Sequence, residues 1–167
     1  VLTADMDNTD KLVLLKDDCT QMGIVLERPD VNVSAYEFTV AGSNSITYGL
    51  GAIKGVGRGV VESVIQEREA NGPYSSLLDL CRRVDQHKLN RRVLEALARS
   101  GALDALGANR ATLLNAVSNA LKLAERSAHA MAAGQTVLFA EQDDDSGLEQ
   151  LLTPDREWNE RERLAAE

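Results

Sequence analysis

Residues 50–68, LGAIKGVGRGVVESVIQER, decide the fold, because apolar residues at helical spacing lie on both sides of a glycine-rich turn. Gly55 and Gly57 flank Val56, so the backbone can turn sharply there and no large side chain covers its amides. Apolar residues on both sides of the turn predict a seam that joins a short helix to a second helix. These residues are Ile53, Val56, Val61 and Ile65. The second helix would begin with unpaired N–H groups and the positive end of its dipole, which suit a phosphate.

This pattern resembles the helix-hairpin-helix element, which holds a nucleic-acid backbone without reading its sequence. Lys54 and Arg58 stand beside the glycines and add positive charge where an anion would lie. An ordinary helix–turn–helix contact is one alternative. A dinucleotide site at Gly49–Gly51 is another, because strand-like residues 46–48 precede it. That site needs a βαβ repeat and an acidic residue about 20 positions later, whereas helix follows helix here.

Composition and length limit the class of protein. The 167 residues allow one domain or two small ones, and few aromatics favour helix over sheet. No run of 18 apolar residues occurs, so we expect no membrane span. The chain starts at Val1 without an initiator Met or a basic leader, which suggests a piece of a longer protein. Cys19 and Cys81 lie far apart and are predicted to be reduced, buried thiols in a cytoplasmic protein.

The net charge of −8 conceals an uneven distribution. Residues 1–48 hold eight acidic and three basic side chains, a balance of −5. Residues 49–135 hold twelve basic and eight acidic side chains, a balance of +4. Residues 136–167 carry −7. The basic middle segment is therefore the part suited to a polyanion.

The segment before the turn predicts one helix and a small β-hairpin. Asn8 or Thr9 can cap a helix that ends near Met22, with its buried face formed by Leu12, Leu15, Cys19 and Met22. Residues 24–26 are a short strand candidate, and residues 36–40 and 46–48 predict the hairpin. Asp5, Asp7 and Asp10 do not fit a calcium-binding loop and indicate a solvated helix start.

The segment after the turn predicts four helices. They run from Gly57 to about Asn71, from Ser75 or Ser76 to Val84, from Asn90 to Ser100, and from Asn109 to about Ala133. Arg91 and Arg92 occupy the first turn of the third, where positive charge opposes the helix dipole and hints at an external anion. Residues 100–103 could form a degenerate second hairpin.

An apolar run, residues 135–139, follows directly after Gly134 and precedes the acidic segment 141–147. Such a run often marks a docking peptide, and folding back onto the helices is the alternative. Thr153 and Pro154 begin a charged helix that continues to the end of the chain.

Three segments together are similar to the bacterial replicative DNA polymerase III alpha subunits. They are LTADMDNTDK at 2–11, YGLGAIKGVG at 48–57 and LNRRVLEAL at 89–97, in the family's order. The resemblance covers nearly the whole chain and thins after Phe139. It implies a region beyond the catalytic palm, where the fingers end and a tandem helix-hairpin-helix region grips the duplex behind the primer end.

The resemblance implies a mainly α fold, a helix-hairpin-helix bundle with a small β-hairpin near the N-terminus. It divides the chain into the end of the fingers (1–48), the duplex-binding domain (49–134), a clamp-binding peptide with an acidic linker (135–147) and a charged helix (148–167). The implied backbone-gripping residues are Lys54, Gly55, Val56, Gly57, Arg58 and Gly59, and the dipole argument adds Arg91 and Arg92.

The resemblance also implies partners. Gln135, Leu138 and Phe139 match the internal peptide that binds the sliding clamp, in which two apolar side chains fill a pocket. Duplex DNA and the other holoenzyme subunits are further expected partners. We expect no catalytic residue, metal ligand or cofactor in this chain and no nucleotide transfer by it, although the whole polymerase would use Mg²⁺. An independent DNA-binding or repair module with the same hairpins is the alternative function.

Overall fold

Five α-helices and a small sheet make up the structure of residues 1–107 and 109–132, which a computed structural model describes together with Glu162. The helices are α1 (Thr9–Gln21), α2 (Arg58–Asn71), α3 (Leu77–Arg83), α4 (Arg91–Ser100) and α5 (Arg110–Ala132). The prediction of a mainly helical fold is confirmed. The predicted clamp-binding residues Gln135, Leu138 and Phe139 lie outside the described residues, as does the charged helix predicted from Thr153 onward.

Polar side chains set where three of the helices begin. Asn8 accepts a hydrogen bond from the Lys11 N–H, Ser76 from the Asp79 N–H and Asn90 from the Val93 N–H. Each cap satisfies one of the N–H groups that a helix start leaves unpaired. Asn8 and Ser76 are each one of the two predicted caps, and the predicted start at Asn90 is correct.

The sheet contains three short strands in the order β1–β3–β2. β1 is Val25–Glu27, β2 is Thr39–Val40 and β3 is Ser45–Thr47. β2 and β3 pair antiparallel, which confirms the predicted hairpin in a shorter form. The parallel pairing of β1 with β3, with Leu26 opposite Ile46, was not predicted.

The apolar core lies among α2, α3, α4 and α5, with α3 and α4 packed on α5. Its largest fully buried side chains include Leu50, Leu78, Leu80, Leu89, Leu94, Leu97, Leu103 and Leu113. Val31, from the loop between β1 and β2, belongs to this core and is fully buried.

The predicted buried face of α1 is largely wrong. Leu12 is buried, but Leu15 and Cys19 are only half-buried and Met22 is 73% exposed. α1 lies against β1 at the edge of the sheet, and this contact leaves Met22, at the end of its predicted face, exposed. The expectation that both thiols are buried therefore holds for Cys81 alone, and both cysteines are free.

Polar contacts join the loop of residues 30–34 to the helices. The Val31 N–H donates to the Ala102 carbonyl at 2.9 Å, and the Asn32 side chain bonds both the N–H and the carbonyl of Tyr74. Arg68 on α2 donates to the Val31 carbonyl at 2.8 Å. We call this set of contacts the loop clasp. It fastens the sheet-bearing segment to the helical core.

Candidate nucleic-acid interface

The first hairpin, residues 50–59, connects a 3-10 helix at Leu50–Ala52 to α2. Gly55 has a φ of +90°, a conformation that L side chains rarely adopt. Val56 is buried, and its N–H donates to the Ile53 carbonyl at 3.1 Å. Ile53 and Val61 are buried as well, so the predicted apolar seam holds the turn from inside and leaves its outer side to the glycines.

The N-terminus of α2 carries no side-chain cap, unlike those of α1, α3 and α4. Its cap residue is Gly57, and within the described chain the N–H groups of Gly57, Arg58 and Gly59 have no hydrogen-bond acceptor. Three adjacent donors at the positive end of a 14-residue helix therefore face outward. This is the arrangement that binds phosphate at helix N-termini.

Nothing in the fold requires glycine at positions 57 and 59. Gly57 has a φ of −79°, and a Cβ added at either position would meet no heavy atom within 4 Å. Gly59 lies in the first turn of α2, where glycine is a poorer helix former than alanine. The two residues keep the outer side of the helix start bare, so another molecule could approach the backbone closely.

Two cations border this bare surface. Lys54 is exposed, and no carboxylate of the described residues lies within 4.0 Å of its ammonium group. The Arg58 side chain is 64% exposed, with its Nε 3.6 Å from Glu62 and its guanidinium carbon 4.6 Å from the centroid of the Tyr36 ring. An exposed pair of this kind contributes little and exchanges readily for another anion.

α4 brings a third cation towards the first hairpin. A Cβ built on Gly55 would lie 4.0 Å from the Cβ of Ala96 on α4. Arg92 stands one helical turn before Ala96 and so shares its face. Arg92 is exposed and has no ion-pair partner in the part of the chain described, whereas Arg91 donates to Glu95 at 2.7 Å. Of the two arginines at the start of α4, Arg91 is therefore already paired with Glu95. The prediction that an external anion binds there depends on Arg92.

The second hairpin is closed by its own side chains. Its described part, residues 101–107 and 109, continues beyond the predicted 100–103 and includes a 3-10 helix at Asp104–Leu106. The Arg110 guanidinium, 3% exposed, packs against Gly101, donates to Asp104 at 3.0 Å and to the Arg99 carbonyl at 3.1 Å. Asn109 accepts from the Thr112 N–H at 2.8 Å and thereby caps α5.

Gly49 and Gly51 have a packing role that explains why they are glycines. A Cβ at Gly49 would lie 2.6 Å from the Tyr36 carbonyl oxygen, and one at Gly51 would lie 2.6 Å from the Tyr36 ring. No helix separates β1 from β3, the one parallel pair in the described sheet, so the βαβ unit of a dinucleotide site is missing there. The glycines make room for a neighbouring segment.

The described residues contain no group of three or more His, Cys, Asp or Glu side chains that could hold a metal ion. None of their helices combines the length and the apolar character needed to cross a membrane. We therefore assign no metal ligand in this part of the chain.

Sequence reasoning missed three residues at this interface. The sequence pattern places Tyr36 only in a strand, and its contact with Arg58 joins positions 22 residues apart, which no local pattern shows. The approach of Ala96 to Gly55 is hidden for the same reason. Glu62 could have been found, because it follows Arg58 by four positions on a predicted helix.

Comparison with known proteins agrees with this geometry. Residues 23–113 match the family described as "Helix-hairpin-helix motif". This span is more than half of the chain, and the chain therefore belongs to the helix-hairpin-helix family.

Relatives similar to most of the chain are named DNA polymerase III subunit alpha. The protein of Escherichia coli is 51% identical over 139 residues, which are 83% of this chain and 12% of the relative. The protein of Xylella fastidiosa is 45% identical over 158 residues, 94% of this chain and 13% of the relative. The protein of Vibrio cholerae is 43% identical over 168 residues, 100% of this chain and 14% of the relative. The chain thus spans about an eighth of the length of these relatives.

Proposed function

We propose that this chain is a non-catalytic segment of a DNA polymerase III alpha subunit that holds the phosphate backbone of duplex DNA through its first hairpin. One observation carries the proposal: the start of α2 is uncapped, and glycines that the fold does not need keep it bare. Lys54 and Arg58 beside it supply positive charge. The names of the relatives and the match to the helix-hairpin-helix family support the same role.

The charges set the expected strength of binding. Lys54, Arg58 and Arg92, with the bare amides of α2, would neutralise about three phosphates. At about −0.9 per phosphate, a plot of the logarithm of the binding constant against the logarithm of the salt concentration should have a slope near −3. Without base contacts the dissociation constant should fall at about 10⁻⁴ to 10⁻⁶ M, and the acidic ends of the chain should weaken it further. Such a segment would add grip without sequence preference.

Charge reversal tests the proposal. Lys54→Glu combined with Arg58→Glu is expected to abolish duplex binding for any DNA sequence, because it places two carboxylates beside the bare amides. Fluorescence anisotropy with two labelled duplexes of unrelated sequence would measure it. Lys16→Glu combined with Lys122→Glu is the matched control, since both lysines are exposed and neither belongs to the first hairpin. Equal loss in both double variants, or no loss in the first, would contradict a hairpin-centred interface.

Attachment to the sliding clamp is the second part of the proposal. Gln135, Leu138 and Phe139 lie outside the described residues, and the resemblance of their spacing to the family's internal peptide supports the assignment. Burying two apolar side chains contributes about 1.5–3 kcal/mol each before ordering costs. A tether of that strength holds the polymerase near the clamp and still releases.

The remaining parts concern the whole protein. We propose that the segment acts in the cytoplasm within a holoenzyme and transfers no nucleotide by itself. The Mg²⁺ that nucleotide transfer would use is assigned to no residue here, because the described residues offer no fitting cluster of ligands.

A further inference from the structure

Tyr36 contacts Arg58, one of the two cations of the first hairpin. Its ring centroid is 4.6 Å from the guanidinium carbon of Arg58. Tyr36 comes from the segment before β2, and Arg58 is the first residue of α2. The contact therefore joins the sheet-bearing segment to the proposed phosphate site.

Tyr36 is held in place by contacts with Gly51. The Tyr36 carbonyl accepts a hydrogen bond from the Gly51 N–H at 2.9 Å, and the ring occupies the space that a Gly51 side chain would need. Tyr36 is half-buried against the apolar core. An anchored ring offers one defined surface on which a long, flexible side chain can rest.

A cation–π contact leaves a guanidinium able to bind phosphate. Arginine carries five N–H donors in a planar fork, and its 4.6 Å contact with the Tyr36 ring uses the charge of the group rather than a hydrogen bond. Arg58 donates no hydrogen bond to another described residue, and its only ion pair there is the loose one with Glu62. The Tyr36 ring thus restricts the position of the Arg58 guanidinium while its N–H groups stay available to a phosphate.

We infer that Tyr36 is a positioning residue for duplex binding, which holds the Arg58 guanidinium over the hairpin so that less side-chain freedom is lost when a phosphate arrives. This role rests on the proposed function of the first hairpin. The partner chemistry is a phosphodiester of the duplex backbone, which the planar fork of arginine can meet with two N–H groups.

A double-mutant cycle tests the role of Tyr36. Tyr36→Leu keeps apolar bulk on Gly51 but removes the ring face, and it should weaken binding of a labelled duplex about 2- to 5-fold, the range of an exposed cation–π contact. Tyr36→Phe keeps the face and should bind as the unaltered chain does. In an Arg58→Gln background, Tyr36→Leu should cause no further loss. Thermal unfolding of each variant shows that the fold is retained.

A second variant covers the case in which Tyr36→Leu fails to fold. Arg58→Lys keeps the charge but loses the planar guanidinium that contacts the ring, so affinity should fall about 2- to 5-fold while the salt slope stays the same. Equal affinity of the Lys and Arg forms would overturn the positioning role.

The outcomes separate this role from the proposed function. If Arg58→Gln weakens binding and Tyr36→Leu does not, or if Tyr36→Leu weakens it equally in the Arg58→Gln background, the role of Tyr36 is overturned and the hairpin site stands. If Arg58→Gln itself leaves binding unchanged, the site and the role fall together.

Discussion

Gly55 and Gly59 belong to the same hairpin but are glycines for different physical reasons. Gly55 has a φ of +90°, so its backbone conformation excludes a side chain. Gly59 has ordinary helical geometry and empty space where a Cβ would lie. The fold explains the first glycine, and the proposed contact with a duplex backbone accounts for the second.

Two alanine substitutions separate these reasons. Gly59→Ala should raise the free energy of unfolding by up to about 0.5–1 kcal/mol, because alanine favours a helix, and should weaken duplex binding severalfold, because a methyl group stands in the way. Gly55→Ala should lower the free energy of unfolding by about 1–2 kcal/mol through backbone strain. Urea denaturation and anisotropy on both variants would check this. A Gly59→Ala variant that binds duplex as before would show that the bare surface has no role.

At the scale of elements, the two hairpins have similar plans and opposite surfaces. Each places a glycine of positive φ, Gly55 or Gly107, shortly before a helix with an arginine as its first residue. In the first, Arg58 lies outside and the helix start is bare. In the second, Arg110 is buried and Asn109 caps the helix. The first hairpin therefore leaves its helix start open to another molecule, whereas the second closes its own with side chains.

Local signals explain which elements could be predicted. Asn8, Ser76, Asn90 and Gly101 mark helix ends through contacts three or four residues away, and those ends are correct. Three features depend on residues that only the fold brings together. They are the parallel pairing of β3 with β1, the burial of Arg110 and the contact of Arg58 with Tyr36. The pattern of α1 misled because apolar spacing does not show whether a neighbour is present to cover it.

The proposed clamp-binding peptide can be separated from the hairpins by mutation. Leu138→Ala with Phe139→Ala should remove binding to a bacterial sliding clamp, since these are the two apolar side chains proposed to fill the clamp's pocket. Duplex binding should not change. Calorimetric titration of the clamp would measure the loss, with Thr136→Ala as a control at a spacer position. Equal clamp affinity in the double variant and the unaltered chain would end the assignment.

At the scale of the whole molecule, the burial of two weak acids makes the free energy of unfolding depend on pH in the alkaline range. Burial raises the pKa of the Cys81 thiol from 9.0 to about 12. Burial also raises the pKa of Tyr74 from 10.0 to about 12, although the nearby Arg83 lowers it in part. Both groups are neutral when protonated, and burial disfavours their charged forms, so they remain protonated in the core at pH values below these pKa values.

Unfolding should therefore become easier in base. Above about pH 9 the unfolded chain releases the Cys81 proton while the folded chain retains it, so the free energy of unfolding falls as pH rises towards 12. Urea denaturation between neutral pH and about pH 10.5 would measure the decline. Cys81→Ala should make the decline shallower, and an equally steep one would assign it to other groups.

The loop clasp has a mechanical consequence. Val31 is buried among the helices and Arg68 on α2 donates to its carbonyl, so the loop at residues 30–34 is fastened to α2. A load applied at the proposed duplex contact would therefore pass along α2 from the first hairpin to this loop.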